Sequence, residues 1–169
     1  MADYRQTELL ARALLRRPTD SAVLLCRNVA KGYHYLPGGH VEFDESAPCA
    51  LAREFLEETG LTFNPGPLLA VAEVRFRAHG KPHHEINLVF HVEHPPTSSL
   101  LHVPSLEPEI AFDWLLPSQI PSLDLRPDIL KSWLLSRLSQ PLTLPPLSPA
   151  HPADAAPPPV DWLQDSSPH

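Results

Sequence analysis

Three glutamates, Glu54, Glu57 and Glu58, constrain this chain more than any other feature. Their i, i+3, i+4 spacing brings the side chains together only on a helix, where they fall within about 100° of one another. The surrounding residues predict that helix over residues 47–59. Ser46 can cap its start, Pro48 is tolerated in the first turn, and Gly60 can end it in the left-handed conformation. Leu51 and Phe55, four apart, supply an inward face. Three carboxylates held so close repel one another unless a cation sits among them. A hard, oxygen-seeking ion fits. Magnesium, with manganese as its substitute, takes one or two carboxylates, keeps several waters and accepts substrate phosphates.

The plain alternative is a solvated acidic face. The segment around the helix, GHVEFDESAPCALAREFLEETGL from Gly39 to Leu61, argues against it. Six of the 20 acidic residues lie between Glu42 and Glu58. A solvated helix has no use for the lead-in Leu36-Pro37-Gly38-Gly39, for the isolated Glu45, or for Arg53 beside the carboxylates. Paired glycines after a proline let the backbone turn sharply and approach a ligand. A guanidinium beside a carboxylate cluster offsets repulsion and fixes rotamers.

Residues 7–16 and 21–27 read as strands separated by the turn residues Pro18-Thr19-Asp20. Residues 69–77 and 84–93 alternate and read as an antiparallel pair with one buried face. Ala70, Ala72, Val74 and Phe76 point inward with Ile86, Leu88, Phe90 and Val92. Glu73, Arg75, Arg77, Glu85, Asn87, His91 and Glu93 point outward. Residues 110–116 form a further strand, and 128–138 an amphipathic helix behind Pro127. The order of elements indicates an α/β or α+β domain over residues 1–139. From Gln140 onward the composition changes: nine of the 22 prolines lie in residues 140–169. This is the signature of a flexible or polyproline-type tail, in which Trp162 and Leu163 are suited to docking on a surface.

A formal net charge of −7 disfavours nucleic acid, whose phosphates call for a basic surface. No apolar run approaches the roughly 20 residues of a membrane helix, and the first residues lack the pattern of a signal peptide. A cytoplasmic location is therefore expected. Cys26 and Cys49 are expected to be free and buried, as small hydrophobes.

The segment Gly39–Leu61 resembles the Nudix box, G-x5-E-x7-R-E-U-x-E-E-x-G-U, at every position. Gly39, Glu45, Arg53, Glu54, Glu57, Glu58, Gly60 and Leu61 all match, with Phe55 where an aliphatic residue is commoner. The resemblance implies a Nudix fold: a mixed β-sheet sandwiched between helices, with the box as a loop–helix–loop. It implies that Glu54, Glu57, Glu58 and the Gly39 carbonyl bind Mg2+ or Mn2+, and that Glu45 and Arg53 form an orienting pair. The implied activity is hydrolysis of a pyrophosphate bond in a small nucleotide: a nucleoside triphosphate, a nucleotide sugar or an ADP-ribose type of compound. The base that takes the proton from water is Glu57 or Glu58, or a later loop glutamate, Glu107 or Glu109. An RNA 5′-pyrophosphohydrolase and a non-catalytic nucleotide-binding regulator remain as alternatives, and a homodimer is compatible with the family.

Around this centre, Gly38, Gly39, Tyr35, Arg75 and Glu85 are the candidate substrate contacts, and Tyr33, Tyr35 and Phe43 are candidates for stacking on a base. His83, His84 and Glu85 look like metal ligands in sequence, but adjacent strand side chains point to opposite faces and do not readily share an ion.

Overall fold

The strand that organises this protein is β1, Thr7–Leu15, whose alanines and leucines from Leu10 onward are buried on both faces. Both of its edges are paired. It runs parallel to β6, Lys81–Val92, on one side and antiparallel to β4, Gly38–His40, on the other. Beyond β6 lie β5, Pro65–Ala78, antiparallel to it, and β8, Asp161–Gln164, parallel to β5. A second sheet orders β3, His34–Tyr35, then β2, Val23–Asn28, then β7, Ile110–Leu115. Among the described residues two helices complete the fold: α1, Ala47–Thr59, and α2, Asp128–Leu138, preceded by a 3-10 turn at Ile120–Ser122. The computed structural model describes residues 7–78, 80–93, 101–140 and 160–164.

The core has two halves, one for each helix. Ala50, Leu51 and Phe55 of α1 pack with Ala11, Ala13, Leu15, Phe90 and Val92. Leu130, Trp133 and Leu134 of α2 pack with Leu14, Ala70, Ala72, Val74 and Val89. The helices thus cover opposite faces of a mixed sheet, which is the α/β sandwich expected.

The caps of α1 are as the sequence indicated. The Ser46 hydroxyl accepts from the Cys49 N–H at 3.4 Å, and Gly60 adopts φ +71°. Other expectations need correcting. Helices pack on both faces of the sheet that holds β6, and Asn87 and His91 are buried where alternation placed them outside. Cys49 is exposed on the first turn of α1, whereas Cys26 is buried as expected. The turn at Pro18–Asp20 passes the chain from one sheet to the other, with one isolated bridge between Arg16 and Val23. Within the stretch assigned to a tail, Asp161–Gln164 form a strand on the edge of β5. Leu163 packs into the α2 half of the core, and the Trp133 Nε1–H donates to Asp161 at 2.8 Å. Residues 141–159 lie outside the described residues.

Candidate active site

Arg53 organises the acidic helix. Its Nε and Nη2 donate to both oxygens of Glu45 at 3.2 and 2.7 Å, and its Nη1 donates to Glu54 at 2.9 Å and Glu57 at 3.0 Å. Glu45 is in turn fixed by the Glu42 N–H at 2.8 Å, and these donors hold its carboxyl below the usual range. The Glu45–Arg53 pairing anticipated from the sequence is therefore present, and it spans the loop before α1 and the helix itself. One consequence was not anticipated. Arg53 draws Glu57 outward, and the Glu57 side chain is 56% exposed.

Glu58 has the opposite environment. It is 8% exposed, and its buried Oε2 has no hydrogen-bond partner. Burial, followed by the charges of Glu54 and Glu107, pushes its carboxyl up to about 8, while Arg12 acts in the other direction. Glu54 lies against the glycine pair: a Cβ on Gly39 would overlap its carboxylate and push it from this position. A Cβ on Gly38, at φ +123°, would overlap the Ala11 carbonyl.

The β1–β4 ladder settles the direction of the carbonyls. Val41 N–H donates to Leu9 at 2.8 Å, and Ala13 N–H donates to Pro37 at 2.9 Å. In an antiparallel ladder every second pair is bonded, so Gly39 opposite Ala11 is a bonded pair. The Gly39 carbonyl, expected among the metal ligands, is therefore turned toward β1. The carbonyls of Gly38 and His40 face away from β1 and accept from Arg12 at 2.7 Å and Arg53 at 3.1 Å.

These groups border a cavity of about 840 Å³ on the α2 face of the larger sheet. Gly38, Gly39, Tyr35, Glu54, Glu58 and Glu85 line it. Arg75 does not. It points to the other face of β5, where it pairs with Glu73. Phe43 is 95% exposed and away from the cavity, which leaves Tyr33 and Tyr35 as its aromatic wall together with Phe76. Glu107 and Glu109 lie on an exposed loop and do not line it. Glu107 is close enough for its charge to act on Glu58, because the Leu106 N–H donates to the Glu58 carbonyl at 2.7 Å. His83 and His84 separate as expected, toward Glu8 at 3.0 Å and Glu73 at 2.9 Å. Sequence reasoning missed the cationic lining, Arg12, Lys31 and Arg126. Arg12 gave a signal, a lone charge within an apolar strand; Arg126 gave none.

Among the described residues, no three His, Cys, Asp or Glu side chains are arranged to hold a metal ion. Of the carboxylates that border the cavity, Glu54 and Glu58 come from α1, and Gly38, whose carbonyl is turned away from β1, borders it with them. That donor set suits magnesium, which uses one or two carboxylates and completes its shell with water and phosphate oxygens. No helix of the described residues is long and apolar enough to cross a membrane.

The fold and site define a Nudix domain, and comparison with known proteins agrees. The sequence profile of the NUDIX domain matches residues 8–134, and the chain belongs to that family of hydrolases. Among solved structures it is similar to the MutT protein from Methanosarcina mazei Go1, at 26% identity and a TM-score of 0.62, covering 80% of this chain and 95% of that one. A mutator MutT protein from Bacillus halodurans shares the fold at 23% identity and a TM-score of 0.59, with 79% and 83% covered. A NUDIX hydrolase from Nitrosomonas europaea does so at 22% and 0.57, with 79% and 90% covered.

Proposed function

We propose that this domain hydrolyses a pyrophosphate linkage in a small nucleoside-diphosphate-linked compound, using magnesium or manganese held by Glu54, Glu58 and the Gly38 carbonyl. The observation that carries this reading is Glu58: a buried carboxyl with an unpartnered oxygen, crowded by Glu54 and Glu107, at the wall of an open cavity. A purely structural acid in that position would have a donor. A divalent ion bound there would polarise the phosphoryl oxygens and neutralise charge on the leaving phosphate.

The residues of the chain do the positioning. Arg53 locks Glu54 and Glu45 and keeps the loop before α1 on the helix through the His40 carbonyl. Glu57, exposed and held by Arg53, and Glu107, near Glu58, are the candidates to take a proton from water. Glu109 is the weaker candidate, since its carbonyl is tied to the Val29 N–H at 2.9 Å and no contact brings it to Glu58. Tyr33, Tyr35 and Phe76 offer flat apolar surface for a base.

The test is release of phosphate and nucleotide from a panel of nucleoside triphosphates, nucleotide sugars and ADP-ribose with Mg2+, comparing the native chain with Glu58→Gln. Turnover of one class, reduced by at least about 100-fold in the variant, is expected on removing a group that acts on developing charge. Equal turnover by the two proteins would overturn the assignment of the site.

A further inference from the structure

Of the four Lys and Arg side chains lining the cavity, Arg126 and Arg77 are held by neighbours close in sequence. Arg126 grips Asp124 through two bonds of 3.0 and 2.7 Å and lies 4.5 Å over Tyr33. Arg77 donates to the Gly80 carbonyl at 2.9 Å. Arg53, which is outside the lining, serves three carboxylates. Arg12 is held instead by segments distant in sequence. It rises from the middle of β1 into the cavity, part-buried, and its bonds all go to neutral oxygens: Gly38 at 2.7 Å, Leu36 at 3.3 Å and Asn87 at 3.3 Å. Among the described residues no carboxylate lies within ion-pair distance of it.

Removing a guanidinium from water without a counter-charge is costly. The surroundings nonetheless fix it in place. Asn87 is fully buried and its amide donates to Glu85 at 3.3 Å, so the Asn87 oxygen is turned to Arg12. The Tyr35 ring lies 5.5 Å beneath the guanidinium. The result is a rigidly held guanidinium without an ion-pair partner, in the wall that also carries Glu54 and Glu58, with Nε and Nη1 bonded to protein oxygens and, among the described residues, no bond from Nη2. The Nη2 protons are the ones left for phosphate oxygens, which guanidinium N–H groups bind with charge-assisted hydrogen bonds.

We propose that Arg12 is a substrate-binding residue, which grips the phosphate chain beside the carboxylates and so selects substrates with at least two linked phosphates. This rests on the hydrolase reading above. Arg12, together with a divalent ion that Glu54 and Glu58 would hold, suits a diphosphate, whereas a neutral sugar or a free base leaves the guanidinium uncompensated.

The experiment uses inorganic pyrophosphate with Mg2+ as probe, titrated by calorimetry into the native chain, Arg12→Gln and Arg12→Lys. Binding of Mn2+ alone is followed separately by electron paramagnetic resonance. Arg12→Gln should weaken pyrophosphate by about 10- to 100-fold, the range for a lost hydrogen bond to a charged group. Arg12→Lys keeps the charge but loses the planar guanidinium, and should fall between the two. Mn2+ alone should bind Arg12→Gln as tightly as native or more tightly, because a nearby positive charge has gone. Equal weakening of Mn2+ and pyrophosphate would mean that Arg12 only braces the Leu36–Gly38 carbonyls, and would overturn the proposal. So would native-like pyrophosphate binding by Arg12→Gln. If Arg12→Gln does not fold, Arg12→Lys decides: pyrophosphate weakened with Mn2+ unchanged supports the proposal, and no weakening overturns it. If the native chain binds no pyrophosphate with Mg2+, the hydrolase reading itself fails and Arg12 falls with it.

Discussion

Glu58 offers a test of the site that needs no substrate. Its carboxyl is raised from the ordinary 4.5 to about 8 in the folded protein, chiefly by burial and then by the charge of Glu54. The folded state therefore binds more protons at this group than the unfolded chain between those two values. Stability falls with rising pH wherever the folded state holds the extra proton. The loss begins near 4.5 and is complete above about 8. Linkage converts the shift into a penalty of about 1.5 kcal/mol at pH 5.5 and about 4 kcal/mol at pH 8, a difference of roughly 2 to 3 kcal/mol.

Glu58→Gln keeps the shape of the side chain and removes the charge. In EDTA, the variant should gain stability over native by roughly 2 to 3 kcal/mol more at pH 8 than at pH 5.5. Measuring the variant against native at each pH cancels the groups that both proteins share. One of these is His91, whose lowered value has the opposite sign and adds stability as pH rises. Urea unfolding at the two pH values is the assay, with thermal unfolding as a second probe. Adding Mg2+ at pH 8 should stabilise native and leave the variant nearly unmoved, because the ion stabilises only a chain that binds it. The reasoning is refuted if the variant is destabilised equally at both pH values, or if Mg2+ raises both proteins alike.

Two further outcomes follow from the geometry. Arg53→Ala frees Glu45, Glu54 and Glu57 together, so turnover on whichever compound the panel identifies should drop by about 10- to 100-fold, as for the loss of groups that orient metal ligands. Its unfolding midpoint should change little, since these ion pairs are partly exposed; an unchanged rate would remove Arg53 from the site. Asp161→Ala deletes the acceptor of the Trp133 N–H and should cost about 1 kcal/mol. Backbone amides in β5 and β8 should then exchange faster in deuterated water, and unaltered exchange would show that this bond does not hold β8 in place.

The acidic half of the site could be read from the chain because it is local. Ser46, Pro48, Glu54, Glu57, Glu58 and Gly60 all act within one helix, where spacing alone decides which side chains meet. What the spacing could not show was the competition for them. Arg53 takes Glu57 out toward solvent, and burial singles out Glu58, so three glutamates equivalent in sequence become chemically distinct. The expectation for β6 failed for a related reason. Alternation reports one buried face only when the other meets water, and Asn87 and His91 are covered because a helix packs on each side of the sheet.

The cationic half depends on register between distant segments. Arg12 faces Gly38 because β1 pairs with β4 at that register, and it meets Asn87 because β1 also runs parallel to β6. Tyr33 joins Arg126 across nearly a hundred residues. Asp161 finds Trp133 from beyond the proline-rich stretch. None of these pairings has a sequence period to reveal it. A motif on one helix can therefore announce the chemistry, while the selection of a substrate is assembled by the sheet. If so, substitutions in the box should change the rate on every compound alike, and substitutions at Arg12, Tyr33 and Arg126 should change the preference among them. A panel assay run across both sets of variants separates the two effects, and a uniform loss from all of them would mean that the cavity wall has no part in choosing the substrate.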